Sequence, residues 1–506
     1  MRTNRTINRI TVLITACLFA SCGLLETTND DEYSGEKFWR QGNMQNVEAF
    51  TLSIYNSFRK ATMTNCAFMT ATGDFRLAPV TSGLGSGNDH NILNDLIANQ
   101  LATTAGRGNG GWRQQEITRW NTFYEVVQSA NILIEEVENV PGITPADMAA
   151  YKAEGVFMRN LAYFFMIRVF GDVPYYTNAY NAVSLPRTDM VTALKNCRTD
   201  LQTMLADDPN AQALPWTHES AGKAKVRASR GAALSLAMHI NLWLAQFDKL
   251  NAPTYYTNVT LLGDELVNRN GGVYHLLPIN QSSTIFAGRS AESLFDVVQD
   301  VGMNELFIVF GTFSDMVSYS HIDRTTPRVR YNADFMEQLF PEFEPDARST
   351  TWFVFTSSFG RNIDEIIKFV NPATSSDSRL MSNSGNQIIF RYADAILLYA
   401  EAAAELNDDI TALRLLNMIR SRAQANEINS AGQTLKDDIY WERCRELIGE
   451  GHYYYDLVRT GKAYDRNYCP NAISRTYFNA GAWTWPIHSD AQNQNTKMSL
   501  NNFWVN

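Results

Sequence analysis

The residues best suited to covalent chemistry in this 506-residue chain are its six cysteines, and the neighbourhood of one of them suggests a reaction. Cys22 closes the run Leu18-Phe19-Ala20-Ser21-Cys22, which follows Arg2, Arg5, Arg9 and an apolar stretch from Ile10 to Ala20. Cationic, then apolar, then small residues is the order of an export signal, and the apolar stretch is about half the ~20 residues a membrane-spanning helix needs. The closing tetrad resembles a bacterial lipobox, whose cysteine takes a thiol-linked diacylglycerol and becomes the first residue of the mature protein. Two acyl chains give stable membrane attachment where one is marginal. Residues 1–21 therefore read as a lipoprotein signal peptide, Cys22 as the lipid attachment point, and residues 22–37 as a polar, acidic tether.

Once Cys17 has left with the signal, Cys66, Cys197, Cys444 and Cys469 remain, without CxxC or Cys/His spacing. They read as buried thiols rather than a zinc site. Oxygen-rich loops can hold calcium, but the DxDxDG spacing of a calcium loop is missing, so neither metal nor cofactor is expected. The net charge of −10 is the opposite of what phosphate neutralisation requires, so nucleic acid is not an expected partner. With 53 Asp and Glu residues, carboxylates alone cannot single out a glycoside hydrolase, which needs two of them about 5–9 Å apart across a bond. Aromatic residues make up 12% of the chain, enough for a packed core with flat faces left over for a sugar.

Apolar periodicity at three- and four-residue spacing predicts helices over 44–60, 114–140, 189–205, 223–247, 255–269, 392–406, 410–425 and 435–448. Thr144 followed by Pro145 reads as an N-cap with proline at the first helical position, opening a helix to Phe170 that is apolar on nearly every face and so buried on several sides. Gly171-Asp172-Val173-Pro174 ends it. Between Val273 and Lys368 short apolar runs alternate with Gly, Ser and Asn, which predicts loops and short strands. The fold class is mainly α: a tetratricopeptide-like platform of paired helices over about 38–272 and 391–460, with loop-rich insertions at about 62–112 and 273–368, in one domain spanning 38–506. From the residues alone the reading stops at an exported, α-rich globular protein.

Motifs carry it further. AEGVFMRNLAYFFMIRVFGDVP (Ala153–Pro174), RYADAILLYAEAAAE (Arg391–Glu405) with ALRLLNMIRSRA after it, ERCRELIGEGHYYYDLVRTGKA (Glu442–Ala463) and WTWPIH (Trp483–His488) occur in the order of the SusD/RagB family. WNTFYEVVQSANILIEEV from Trp120 and FAGRSAESLFDV around Glu292 add to the match, and the chain resembles that family from Phe38 onward. Within these motifs Arg159, Asp172, Arg391, Asp394, Glu442, Arg443 and Arg459 lie among apolar helical residues, where charges are paired or capping. His452 and the run Tyr453-Tyr454-Tyr455 read as packing.

The resemblance implies an outer-membrane, nutrient-binding lipoprotein of Bacteroidetes type, facing the cell exterior. Such a protein captures an oligosaccharide, or in some relatives a peptide, and passes it to a SusC-like TonB-dependent transporter without cleaving it. A purely structural scaffold for the transporter is a further reading. Within this framework ligand is expected where the insertions gather. An aromatic face would stack on the C–H side of a pyranose while amide, carboxylate and guanidinium groups take its hydroxyls. By composition the ligand-side candidates are Asp74, Arg76, His90 and Trp112 in the first insertion, and Tyr319 and Trp352 in the second. Trp112 has a competing role as a staple packing onto the Trp120 helix.

Overall fold

The computed structural model describes residues 35–62, 68–82, 88–101, 117–298, 329–358, 361–369, 385–493 and 495–504. Among the described residues nine long helices carry the fold: α1 (Met44–Thr62), α2 (Asn121–Glu136), α3 (Pro145–Phe170), α4 (Met190–Asp207), α5 (Arg230–Phe247), α6 (Ala252–Asn268), α7 (Tyr392–Glu405), α8 (Asp409–Arg422) and α9 (Gly432–Glu446). Each packs on the next in chain order from α1 to α9, so the apolar face of every hairpin is covered by its neighbours. No described helix is long and apolar enough to cross a membrane.

Local chemistry sets the helix starts. Thr144 accepts from the Asp147 amide at 3.1 Å ahead of Pro145, Asp189 from Thr192 at 2.9 Å, and Ser229 from Ala232 at 3.2 Å. Each cap satisfies an amide that has no partner inside its helix. From Ala153 to Phe170 every residue of α3 except Val156 is buried, as its unbroken apolar composition requires. Gly155 permits its closest approach to a neighbour, because a Cβ there would lie 2.7 Å from the Ile134 side chain of α2.

Between α6 and α7 the chain leaves the platform and makes strands β2 (Ser293–Val297), β3 (Val329–Tyr331), β4 (Phe353–Ser358), β5 (Arg361–Ile366) and β6 (Gln387–Arg391), β1 (Val80–Ser82) coming earlier in the first insertion. All pairings are antiparallel and two-stranded. β1 pairs with β3, joining the two insertions, while β2 pairs with β6 so that Ser293 faces Arg391 at the entry to α7. The short helix Tyr453–Arg459 follows α9.

The charged motif residues are consumed internally. Arg391 reaches Glu292 at 2.9 Å, Glu446 at 2.8 Å and Glu450 at 2.7 Å; Arg348 reaches Glu442 at 2.8 Å and Glu446 at 3.1 Å; Arg422 also joins Glu446. Arg443 lies 2.8 Å from Asp394 and 2.9 Å from Asp456, which Arg459 also contacts, and Arg159 meets Asp200 at 2.7 Å. Asp172 accepts from the Met190 amide at 2.9 Å at the start of α4. Tyr454, Tyr455 and His452 are buried, as are the free thiols Cys197, Cys444 and Cys469; Cys66 lies outside the described residues.

Candidate ligand-binding cleft

A recess of about 490 Å³ opens between α1, the turns from Ser220 to Arg227, and the end of β2. Its volume is in the range that holds a small ligand. The floor is mainly apolar: Leu52, Tyr55 and Phe58 come from α1, Val226 from the turns, and Phe295, Val297 and Val298 from β2 and just beyond. Asn56, Arg59 and Lys223 add an amide and two cations. Leu52 is 49% exposed, so part of the apolar lining faces water. The cleft lies where both insertions leave the platform, since α1 runs into the first and β2 into the second.

One wall is fixed by an ion cluster. Arg227, buried at 3% exposure, donates to Glu154 through Nε at 2.6 Å and Nη2 at 2.8 Å, and to Glu48 through Nη1 at 2.8 Å. Lys223 reaches Glu48 at 3.0 Å, and the Tyr55 hydroxyl donates to Glu154 at 2.6 Å while accepting from the Ala228 amide at 2.9 Å. Burial disfavours the Glu48 carboxylate, yet hydrogen bonds from Arg227 and Lys223 outweigh it and hold the group down at about 2. Burial and the adjacent Glu154 charge push the Tyr55 hydroxyl well above its ordinary value. Asp296 also borders the cleft, and burial raises its carboxyl to about 6. One of its oxygens, however, accepts from the Arg289 amide, which commits it to the turn before β2. A charge-paired Glu48 and a turn-bound Asp296 suit positioning and hydrogen bonding better than proton transfer.

The sequence-level candidates fall in three places. Asp74, Arg76 and Trp352 are interior, which corrects the expectation that they face a ligand. Arg76 is 0% exposed, donates to the Trp483 carbonyl at 2.7 Å and the Ala482 carbonyl at 2.9 Å, and stacks 4.3 Å from the Tyr454 ring. Asp74 accepts from the Gly451 amide at 2.8 Å, and Trp352, also 0% exposed, donates from Nε1 to Ser282 Oγ at 2.8 Å under the Lys368 ammonium. The hydrogen bonds these side chains do make, through Asp74 Oδ2, Arg76 Nη1 and Nη2 and Trp352 Nε1, join segments distant in the chain. His90 is partly exposed on the helix Asn88–Ile97, its Nε2 2.9 Å from the Asn94 amide nitrogen. Trp112, Tyr319 and Cys22 lie outside the described residues.

Sequence reading did not single out Leu52, Tyr55, Asn56, Arg59 and Lys223. A signal was available: Glu48, Leu52, Tyr55 and Arg59 form a mixed stripe at helical spacing beside the buried stripe of Val47, Thr51, Ile54 and Phe58.

Residues 365–504 match the model of the SusD family, and residues 53–242 match a second model described as starch-binding, associating with outer membrane. A solved SusD homolog from Bacteroides thetaiotaomicron VPI-5482 is 51% identical, with a TM-score of 0.86 over 92% of this chain and 100% of its own. The chain belongs to the SusD/RagB family. Among other members of the SusD/RagB family, SusD-like protein P38 of Formosa agariphila is 24% identical over 492 residues, covering 89% of this chain and 90% of that protein. A solved laminarin-binding SusD-like protein has the same fold at 18% identity and a TM-score of 0.65, over 91% of this chain and 99% of its own.

Proposed function

We propose that this SusD-family protein is a cell-surface lipoprotein, held by acyl chains on Cys22, that captures an oligosaccharide and releases it intact to a TonB-dependent outer-membrane transporter. The observation that carries the reading is a coincidence in space. Residues 53–242, which match the model described as starch-binding, supply the α1 wall from Tyr55 to Arg59 and the Ser220–Arg227 wall of the 490 Å³ cleft. The laminarin-binding SusD-like protein of the same fold supports a glycan as the ligand class.

In this reading the apolar floor takes the C–H face of a sugar, while Asn56, Arg59 and Lys223 hydrogen-bond its hydroxyls. Trp112, Tyr319 and His90 are proposed as further ligand contacts on the grounds of their chemistry. Calorimetric titration against starch, laminarin and other oligosaccharides tests the reading. One glycan should bind without release of reducing ends, and replacing Asn56, Arg59 and Lys223 together by Ala should weaken it at least about tenfold, roughly 1.4 kcal/mol. Full affinity in the folded triple variant would move the site elsewhere. Catalytic release of reducing ends, or affinity for peptides alone, would replace the function.

A further inference from the structure

The loop Pro341-Glu342-Phe343-Glu344-Pro345-Asp346 holds Phe343 at 92% exposure, one of the most exposed large apolar side chains described. Isolated apolar residues on a surface are ordinary. Leu250 and Ile410 are examples, at 95% and 85%. Phe343 differs in its mounting and in its surroundings.

The mounting is rigid. The Glu344 amide donates to the Pro341 carbonyl at 3.0 Å, closing a tight turn around Phe343, and prolines stand at both ends of the Glu-Phe-Glu triplet. Before the turn, Arg445 of α9 donates to the Leu339 carbonyl at 2.5 Å. After it, Asp346 takes two hydrogen bonds from Arg348, at 2.9 and 2.6 Å, and the Ala347 amide donates to the Ala423 carbonyl at 2.8 Å. Arg348 is itself 0% exposed and paired with Glu442 and Glu446. The interior ion network therefore doubles as a pedestal for this ring. A loop backbone already held in place loses less conformational freedom when its side chain docks, which suits an interface anchor.

The surroundings are acidic. Glu342 and Glu344 flank the ring and are exposed. Asp334 and Glu337 lie exposed on the helix Ala333–Leu339 that leads into the loop, with Glu337 accepting from the Glu342 amide at 3.3 Å. None of these four carboxylates has a cationic partner among the described residues, whereas the carboxylates beneath them do.

We propose that Phe343 is a docking knob for a second protein, whose surface offers an apolar socket bordered by lysine and arginine. The uncompensated carboxylates decide the occupant. An identical copy of this chain, with its net charge of −10 and the same acidic collar, would be repelled. A neutral glycan would draw nothing from the four charges.

The test places the photo-crosslinking amino acid 4-benzoylphenylalanine at position 343 of the full chain, expressed in the cells that naturally make the protein, with the same substitution at Ile410 as control. Irradiation should give one dominant protein adduct specific to position 343. Sequencing its cross-linked peptide should show apolar residues with Lys or Arg beside them. The yield should fall about fivefold or more on the double change Glu342→Lys and Glu344→Lys, or on moving from low to high salt. An unchanged thermal melt for Phe343→Ser shows that the ring is not needed for folding. The proposal is overturned if position 343 gives no adduct beyond the control, if the adduct is a second copy or a polysaccharide, or if its yield ignores charge reversal.

Discussion

Arg391 and Glu446 lie 55 positions apart in the chain and meet at 2.8 Å in the interior, between the entry to α7 and the end of α9. Burial disfavours the Glu446 carboxylate, but Arg422, Arg391 and Arg348 around it overcome that penalty and hold it well below the usual carboxylate range. Removing one partner strands a buried charge. Arg391→Met should cost about 3–5 kcal/mol in urea unfolding. A loss under about 1 kcal/mol would mean that the network contributes little net stability.

Asp74 gives a pH dependence of opposite sign to that of the salt-bridged acids. Burial raises its carboxyl from 3.8 to about 7, so the folded chain holds this proton more tightly than the unfolded chain. Stability from this group is present at low pH and is lost as pH rises from about 4 to about 7. Asp74→Asn keeps an oxygen for the Gly451 amide and removes the titration. The variant should gain on the parent by about 1–3 kcal/mol between pH 4 and pH 8 in denaturant melts. A pH-independent difference would show that the carboxyl does not titrate in that window.

Trp352 separates packing from recognition. Trp352→Ala should cost about 3–5 kcal/mol, because it empties a 0%-exposed site under Lys368 and removes the donor to Ser282. Native variant, prepared in stabilising solution, should bind glycan with the parent's affinity. A large affinity loss at unchanged stability would return Trp352 to the ligand.

Gly73 marks a joint where backbones touch. A Cβ at this position would lie 2.1 Å from the Gly451 carbonyl oxygen, so Gly73→Ala must separate the first insertion from the turn before the helix Tyr453–Arg459. The expected cost is about 2–4 kcal/mol by thermal or chemical melting. An unchanged melt would show that the turn yields freely.

The platform was legible because its signals are local. Thr144 and Pro145 specify the start of α3 from two adjacent residues, and the apolar run to Phe170 announces a helix buried on several sides. The start of α5 was not so plain. Periodicity suggested Lys223, but the helix begins at Arg230 behind Ser229. The preceding turns instead place Lys225 at φ +68 and turn Arg227 towards Glu48 and Glu154.

The candidate site was less legible, for a physical reason. Asp74 and Arg76 lie in a segment without helical periodicity, which resembles an exposed loop when only near neighbours are considered. Arg76 is nevertheless interior because its partner, the Trp483 carbonyl, is 407 residues away. Long-range partners of this kind leave no trace in spacing. The cleft combines α1, the Ser220–Arg227 turns and β2, and only tertiary packing reveals that these three meet.

Hydrogen exchange of the protein with and without a bound oligosaccharide tests the central claim most directly. The account predicts that ligand slows exchange in the peptides spanning Leu52–Arg59, Ser220–Arg227 and Phe295–Val298, which together form the cleft. Protection confined to other segments, with these three unchanged at saturating ligand, would contradict it.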